Sequence, residues 1–520
     1  MTEGTMTAVE TLARDWQPWP LLLIIAVVGM LVSIVWMVRS AYHLRKIPGP
    51  WWAPYTRLWL FRALYSERCA EVYLQVNRQY GPLVRIGPNH LITNDPGLFR
   101  QILGVQSKYN RGPWFDALRL DPHNANLITE RHRQKHDALR AKMAPGYQGK
   151  DLPQMEKTID HNLLFWLEYI QKHALTTPDR HVAFDLARSI QWLLFDMVCH
   201  LCLGHSLGFV DQHEDCFGFQ NVLETRLPIV EKFAVFTEVN TWIKVISRIP
   251  WVRRVLPTPQ DQDGIGAILG VAEKTVRARV AQGVPPKINE TMLDSWLRNG
   301  VDPSLAVSEV TIALFAGSDT TATSIRALML HVISNPIVYS RLTEEIRGAD
   351  KRGQLGSPVV SERETKSLAY LQACILEGLR VFPPITALRE RVVPAGGDTL
   401  NGVFIPAGTN VGLNLPGLLR HEPAFGPDAD VFRPERWLEA TPDQRQRMDR
   451  VHELMFNWGS TRCLGIRLAQ TMMSKVLVEV FRRWDLVSLR PQQPWHSRCH
   501  GIFLQKDFNV RITEAPGSTS

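Results

Sequence analysis

The chain has 520 residues, 45% of them hydrophobic, with a formal net charge of +8 spread along its length. That is enough apolar material for one large core or two domains, and the modest charge argues for a solvated basic face and against a nucleic-acid groove. Seven scattered cysteines, Cys69, Cys199, Cys202, Cys216, Cys374, Cys463 and Cys499, imply no disulfide framework and fit a reducing compartment.

Leu21 to Val38 is an uncharged apolar run of 18 residues. As a helix it would extend about 27 Å, enough to cross a thin bilayer. Glu3, Glu10, Arg14 and Asp15 precede it and Arg39, Arg45 and Lys46 follow it, so the charge bias places the bulk of the protein in the cytosol. A cleaved signal peptide fits less well, because neither a basic leading region nor a small-x-small cleavage site is present. The expected organisation is a lumenal segment (1–20), a transmembrane anchor (21–38), a basic, proline-rich hinge (39–50), one catalytic domain (51–513) and a flexible tail (514–520).

Within the domain, strand-like pieces fall at Leu83 to Ile86, His90 to Thr93, Gly402 to Ile405, Asn410 to Leu413 and Phe508 to Ile512. Helical patterns cover Leu163 to Tyr169, Ser189 to Leu203, Ala306 to Ser334 and Leu368 to Phe382, so the fold class is mainly α with small β-sheets. Cys199 and Cys202 have the spacing of a zinc or redox pair but lie in an apolar helical run, which reads as core packing. Asn289-Glu290-Thr291 matches a glycosylation sequon, a pattern without meaning in a cytosolic segment.

Inside the longest helix stands Ala316-Gly317-Ser318-Asp319-Thr320-Thr321. Glycine costs about 1 kcal/mol there against alanine, and Asp and Thr compete for backbone hydrogen bonds. The functional account has Gly317 loosen the helix to make room for a small reactant while Thr320 and Asp319 relay protons; the plainer one is a bent helix with satisfied polar groups. Further on, Glu377 and Arg380 form an i, i+3 pair, weak alone because Glu130/Arg133 and Glu344/Arg347 share the spacing. The segment Phe432-Arg433-Pro434-Glu435-Arg436-Trp437 would bring Arg436 to the same carboxylate and make a buried lock.

The loop Phe456-Asn457-Trp458-Gly459-Ser460-Thr461-Arg462-Cys463-Leu464-Gly465 carries the most information. A lone cysteine is usually a small buried hydrophobe. Here Gly459 and Gly465 would permit a tight turn and let N–H groups approach the Cys463 sulfur, and Phe456 would exclude water from it. A helix over Arg467 to Trp484 would turn its positive end towards a Cys463 thiolate.

Together these segments, in this order, resemble the cytochrome P450 haem-thiolate monooxygenases over nearly the whole chain. The stretches Leu139 to Tyr147 and Gly81 to Pro88 are similar to the fungal pisatin demethylase-like branch. The resemblance implies the cytochrome P450 fold, haem b, and electrons from NADPH through NADPH-cytochrome P450 reductase, with the need for cytochrome b5 left open. It makes Cys463 the axial ligand of the iron, Thr320 and Asp319 the oxygen-activation pair, and Glu377, Arg380 and Arg436 the structural triad. His136 and Arg140, one helical turn apart, and Arg391 become partners of the haem propionates. One departure stands out: Thr461 occupies the position of a usual propionate arginine, so His136 or a local rearrangement must replace it.

By the same resemblance the substrate pocket is lined from Trp114 to Leu127, around Phe217 to Val230, before Gly317, and at Ile385 to Leu388 and His500 to Phe503. These largely apolar stretches suit a terpenoid, polyketide or alkaloid intermediate, hydroxylated, demethylated or epoxidised at the endoplasmic reticulum membrane. The stretch Trp242 to Arg254 mixes apolar and basic residues as interfacial segments do, with a solvated loop as the alternative. Two other functions are weighed: a haem-thiolate isomerase or dehydratase that needs no external dioxygen, and a tethered haem carrier or sensor without chemistry.

Overall fold

The computed structural model describes residues 23–24, 27–29, 35, 38–40, 42–121, 123–249, 257–283 and 291–516. The anchor expected over 21–38 falls mostly outside them; the positions described there, such as Leu23, Val28 and Val35, are helical and exposed. Residues 1–20, the basic end of the interfacial stretch from Pro250, Asn289 and Glu290 of the sequon, and residues 517–520 also lie outside.

Helix α1 (Leu58–Tyr65) leads to the antiparallel strands β1 (Leu83–Gly87) and β2 (His90–Thr93), followed by the short β3 (Asn110–Arg111) and helix α2 (Arg133–Tyr147). Helix α3 (Leu186–Leu203) starts where the Asp185 carboxylate accepts from the Arg188 N–H, three residues before the expected Ser189. It is mostly apolar and buried at every residue but Arg188 and His200, with Cys199 and Cys202 inside the core. Among the described residues it alone is long and apolar enough to cross a membrane, yet 89% of it is buried, the signature of a core helix. No group of three His, Cys, Asp or Glu side chains among the described residues could hold a metal ion.

Two short helices, α4 (Leu227–Phe233) and α5 (Thr237–Ile246), follow on the surface. Then comes α6 (Pro303–Ile333), opened by the Asp302 cap and Pro303 and closed before Asn335-Pro336, which starts the next helix. Helices α3 and α6 pack against each other along the centre. Helix α7 (Ala369–Val381) precedes β4 (Arg391–Val392) and β5 (Asn410–Leu413), and α8 (Ile466–Arg483) closes the helical core. Trp484, expected in that last helix, opens the strand Trp484–Ser488 instead. The partner strand Asn509–Glu514 extends past the expected Ile512 because Glu514 pairs with Trp484, so Glu514 belongs to the sheet and not to the expected tail.

The main sheet joins distant parts of the chain in the order β1-β2-β5-β4-β3. Strand β5 runs parallel to β2 and antiparallel to β4, and β4 lies antiparallel to β3. This pairing sets Arg111 opposite Arg391. Strands β1, β2 and β5 are buried at every residue, so none shows the polar-apolar alternation of a half-exposed strand.

Candidate active site

The cysteine loop is shaped by two short 3-10 turns, Glu453–Phe456 and Gly459–Thr461, with Asn457 at φ 63° between them. Gly459 has φ 60°, and a Cβ there would stand 2.4 Å from the Leu103 carbonyl oxygen, so only glycine fits. Gly465 differs from expectation: its φ is −83° and a Cβ would meet nothing closer than the Cys463 sulfur at 3.9 Å. Its contribution is its N–H, which acts on the thiol, and its place at the head of α8. The Cys463 N–H donates to the Phe456 carbonyl at 2.8 Å and closes the loop. The Cys463 side chain is accessible although the loop lies deep among protein atoms, so the sulfur faces an interior cleft. Burial pushes the thiol up, opposed by the Gly465 N–H and the charges of Arg140, Arg389 and Arg462.

Between Leu305 and Ser334, the one exposed residue of α6 is Ala316, and Gly317 and Thr320 beside it are half-buried. The helix is unbroken at Gly317, contrary to the expected loosening. A Cβ there would come 3.3 Å from Val198 of α3, so the glycine permits close helix packing. The polar run is satisfied by back-bonding: Ser318 donates to Leu314 at 2.6 Å, Thr320 to Ala316 at 2.7 Å and Ser324 to Thr320 at 2.9 Å. Asp319, next in chain to Thr320, is buried on another face of the helix, where desolvation pushes its carboxyl up to about 6 against the pull of Arg326. One residue not anticipated is Glu309. Its buried carboxylate accepts from the Leu127 N–H at 2.6 Å and ties the expected substrate-lining segment to α6; desolvation pushes it up to about 7.

His136 and Arg140 stand on α2 as expected, and the charge of Arg140 acts on Cys463. Both ring nitrogens of His136 are engaged, Nδ1 with Asp137 at 2.8 Å and Nε2 with Arg111 at 3.2 Å. Burial pushes its pKa down to about 4, so the ring is neutral. It lines a small cavity with Arg111, Arg133, Arg391, Ser460 and Thr461. Arg391 donates Nη1 to the carbonyls of Arg389 at 2.6 Å and Glu390 at 3.2 Å. Its Nη2, together with Nε of Arg111 and Nε and Nη2 of Arg389, has no hydrogen-bond partner among the described residues. Arg111 and Arg389 are the other residues that composition did not single out. The buried guanidiniums of Arg389 and Arg391 and the half-buried one of Arg111, with no ion pair to a carboxylate among the described residues, form a receptor for anions.

Glu377 is fully buried and accepts from Nε and Nη2 of Arg380, both at 2.8 Å, and from Nε of Arg436 at 2.9 Å. The Arg433 N–H and Trp437 Nε1 complete the set at 2.8 and 2.9 Å, two donors beyond the expected triad. Burial alone would raise this carboxyl, but Arg380 and Arg436 hold it below the usual range.

An accessible interior sulfur at the head of a helix, with orphaned guanidiniums nearby, is a donor set suited to an iron macrocycle that carries carboxylates: sulfur for the metal, cations for the acids. A mainly helical enzyme with such a cleft is of the haem-binding oxidative class. A model of the family named Cytochrome P450 matches residues 47–512, and the chain belongs to that family, whose cofactor is haem iron. It is a monooxygenase, an oxidoreductase like its relatives. Cytochrome P450 monooxygenase aba1 of Botryotinia fuckeliana is 35% identical over 480 residues, covering 91% of this chain and 93% of that protein. Cytochrome P450 monooxygenase ABA1 of Pyricularia oryzae is 33% identical over 512 residues, covering 97% and 98%. Pisatin demethylase of Fusarium vanettenii is 26% identical over 506 residues, covering 95% and 94%.

Proposed function

We propose that the chain is a membrane-anchored monooxygenase with Cys463 as the sulfur ligand, drawing electrons from NADPH through NADPH-cytochrome P450 reductase and oxygenating an apolar intermediate of fungal secondary metabolism. The observation that carries the reading is Cys463 itself: an accessible sulfur deep in the fold, on a loop closed by its own N–H and faced by arginines. Haem, when bound, supplies the one-electron and dioxygen chemistry.

The protein groups divide the remaining work. Arg111, Arg391 and Arg140 orient the carboxylates of the cofactor, and neutral His136 holds Arg111 in place. Thr320 Oγ1 stands on the open face of α6 beside Ala316, where its hydroxyl can hold a proton, and Asp319, its carboxyl pushed up to about 6, is the neighbouring acid that can resupply protons. Phe456, half-buried before the loop, keeps water from the sulfur. Glu377, Arg380 and Arg436 lock the segment that leads into the cysteine loop.

Surface chemistry supports the membrane part of the reading. Trp242 and Val245 on α5, Ile229 and Phe233 on α4, and Leu58 and Tyr65 on α1 are exposed large apolar or aromatic residues. Phe61 of α1 packs its ring 6.1 Å from that of Phe233, which brings these helices into one surface suited to the lipid interface of the endoplasmic reticulum. Substrate would enter there from the lipid. A relative named for demethylation and others named monooxygenases in fungi fit an oxidation of the same general kind.

The test is the carbon monoxide difference spectrum of the reduced microsomal protein, wild type beside Cys463→Ala. A red-shifted thiolate-type band in wild type alone is expected. An imidazole-type band in both would overturn the assignment of Cys463. Product formation that requires NADPH and dioxygen separates the monooxygenase from an isomerase or a carrier.

A further inference from the structure

The departure at Thr461 leaves the cysteine loop without the arginine that its family usually places there, and nothing within the loop restores it. The Thr461 hydroxyl donates to the Trp458 carbonyl at 3.1 Å. Arg462, its neighbour, is exposed. Yet a guanidinium does reach this neighbourhood from elsewhere. Arg389, two residues before β4 begins at Arg391, is only 8% exposed and extends one nitrogen to within 3.5 Å of the Met455 carbonyl, at the residue before Phe456.

Four features of Arg389 go together. Its Nε and Nη2 have no hydrogen-bond partner among the described residues. Its charge acts on Cys463. Its backbone has φ 45°, a left-handed conformation that a side chain of this size adopts only when its surroundings demand it. The acid next to it in sequence does not neutralise it: Glu390 turns to His90, 3.7 Å away, in a separate cavity lined by Leu60, Tyr73 and Glu231. A buried guanidinium with two unused donors and no anion is costly, and a carboxylate is the partner that fits its fork.

We infer that Arg389 binds a carboxylate of the cofactor in place of the arginine missing at Thr461, so that the cation has moved from the cysteine loop to the approach of β4. The inference rests on the haem reading above. Arg391 and Arg111 remain the pair on β4 and β3 and Arg140 the cation on α2, and Arg389 adds a fourth on the side of the cysteine loop. A carboxylate on the substrate has the same chemistry, and the experiment separates the two sources.

The full-length microsomal protein is compared with Arg389→Leu, Thr461→Arg and the double variant, each scored for haem transfer to excess apomyoglobin and for midpoint potential. A charge-assisted hydrogen bond lost at a buried site corresponds to roughly tenfold to a hundredfold faster haem loss from Arg389→Leu. The potential should fall, because removing a cation favours the more positive ferric state. Thr461→Arg should change little alone and should restore retention and potential to the Arg389→Leu background, a rescue that a merely structural role for Arg389 would not show. Unchanged haem loss in Arg389→Leu, or a double variant no better than the single one, overturns the inference. Unchanged haem loss together with a weakened spectral shift on adding lauric acid would assign Arg389 to a substrate carboxylate instead. Where the leucine variant does not accumulate, Arg389→Gln replaces it, and a failure of Thr461→Arg to recover that variant also overturns the exchange. Cys463→Ala, run alongside, distinguishes a failure of sulfur ligation from a failure of Arg389 alone.

Discussion

Arg436 Nε lies 2.9 Å from Glu377 Oε1, an ion pair between side chains that are 2% and 0% exposed and 59 residues apart in sequence. Glu377 accepts five hydrogen bonds in all, from Arg380 twice and from Arg433, Arg436 and Trp437. Removing the acid from such a site leaves the buried Arg380 without its anion and Arg436 with only Asp428, 2.9 Å away, at about 3 to 5 kcal/mol. Glu377→Ala should therefore fail to accumulate as folded haem protein, and Glu377→Gln should accumulate with a clearly lowered midpoint of thermal unfolding. A Gln variant that unfolds with wild type would show that the network does not hold the fold.

Asp319 couples activity to stability with opposite signs. Its carboxyl titrates at 3.8 when unperturbed and at about 6 in the fold, burial being the main cause. A raised carboxyl pKa means that the fold favours the neutral form, so this contribution is fully present below pH 3.8 and lost as pH rises through 6. At 1.36 kcal/mol per pKa unit, the ionised group costs about 3 kcal/mol of stability at neutral pH and above, as an upper figure. Asp319→Asn removes that cost. It should unfold at a higher temperature than wild type at pH 8, lose the advantage at pH 4, and form product more slowly at both. Equal melting at pH 8 would mean that the carboxyl is not desolvated, and unimpaired turnover would remove Asp319 from the proton path.

Gly459 tests the loop geometry apart from the sulfur. A methyl group there meets the Leu103 carbonyl at 2.4 Å in a backbone held at φ 60°. A left-handed non-glycine residue costs about 1 to 3 kcal/mol, and backbone does not yield as a flexible side chain would. Gly459→Ala should retain the helical signal of the fold and lose most of the carbon monoxide band. Gly465→Ala, with φ −83° and only ordinary contact to meet, should keep it. Equal spectra for the two variants would contradict the distinction drawn between these glycines.

The contrast also shows what the sequence can and cannot express. The Cys463 loop and the Glu377, Arg380 and Arg436 set are legible because each depends on short-range spacing that is improbable by chance. The N–H of Gly465 reaches the sulfur as its place in the loop implies, but its ordinary φ is not legible, because spacing marks a glycine without revealing its φ. Arg111 and Arg391 meet only through the pairing of β3 with β4, which no local pattern encodes. Arg389 stands two residues before Arg391 with no spacing of its own to mark it, and only its burial sets it apart. Glu309 resembles any polar residue on a long helix, and its role depends on the Leu127 N–H, 182 residues away in the chain. The apolar run over 21–38, legible as a candidate anchor, lies mostly outside the described residues.

The surface formed by α1, α4 and α5 permits a measurement that does not depend on the anchor. Trp242 is 66% exposed, Val245 55%, Ile229 51% and Phe233 50%, on neighbouring helices of which α5 has no buried residue. Apolar area left in water costs about 25 cal/mol per Å², and an indole presents roughly 200 Å², so insertion of Trp242 alone is worth on the order of 3 kcal/mol. Lys244 and Arg248, which flank these residues, add attraction to anionic lipid. Protein lacking residues 1–40 should therefore float with liposomes containing phosphatidylserine. Trp242→Ser with Val245→Ser should weaken binding by more than tenfold at any salt concentration, whereas Lys244→Gln with Arg248→Gln should weaken it only at low salt, where charge is unscreened. If neither pair of substitutions changed the floating fraction, the exposed residues would be a solvated surface and the entry of substrate from lipid would lose its support.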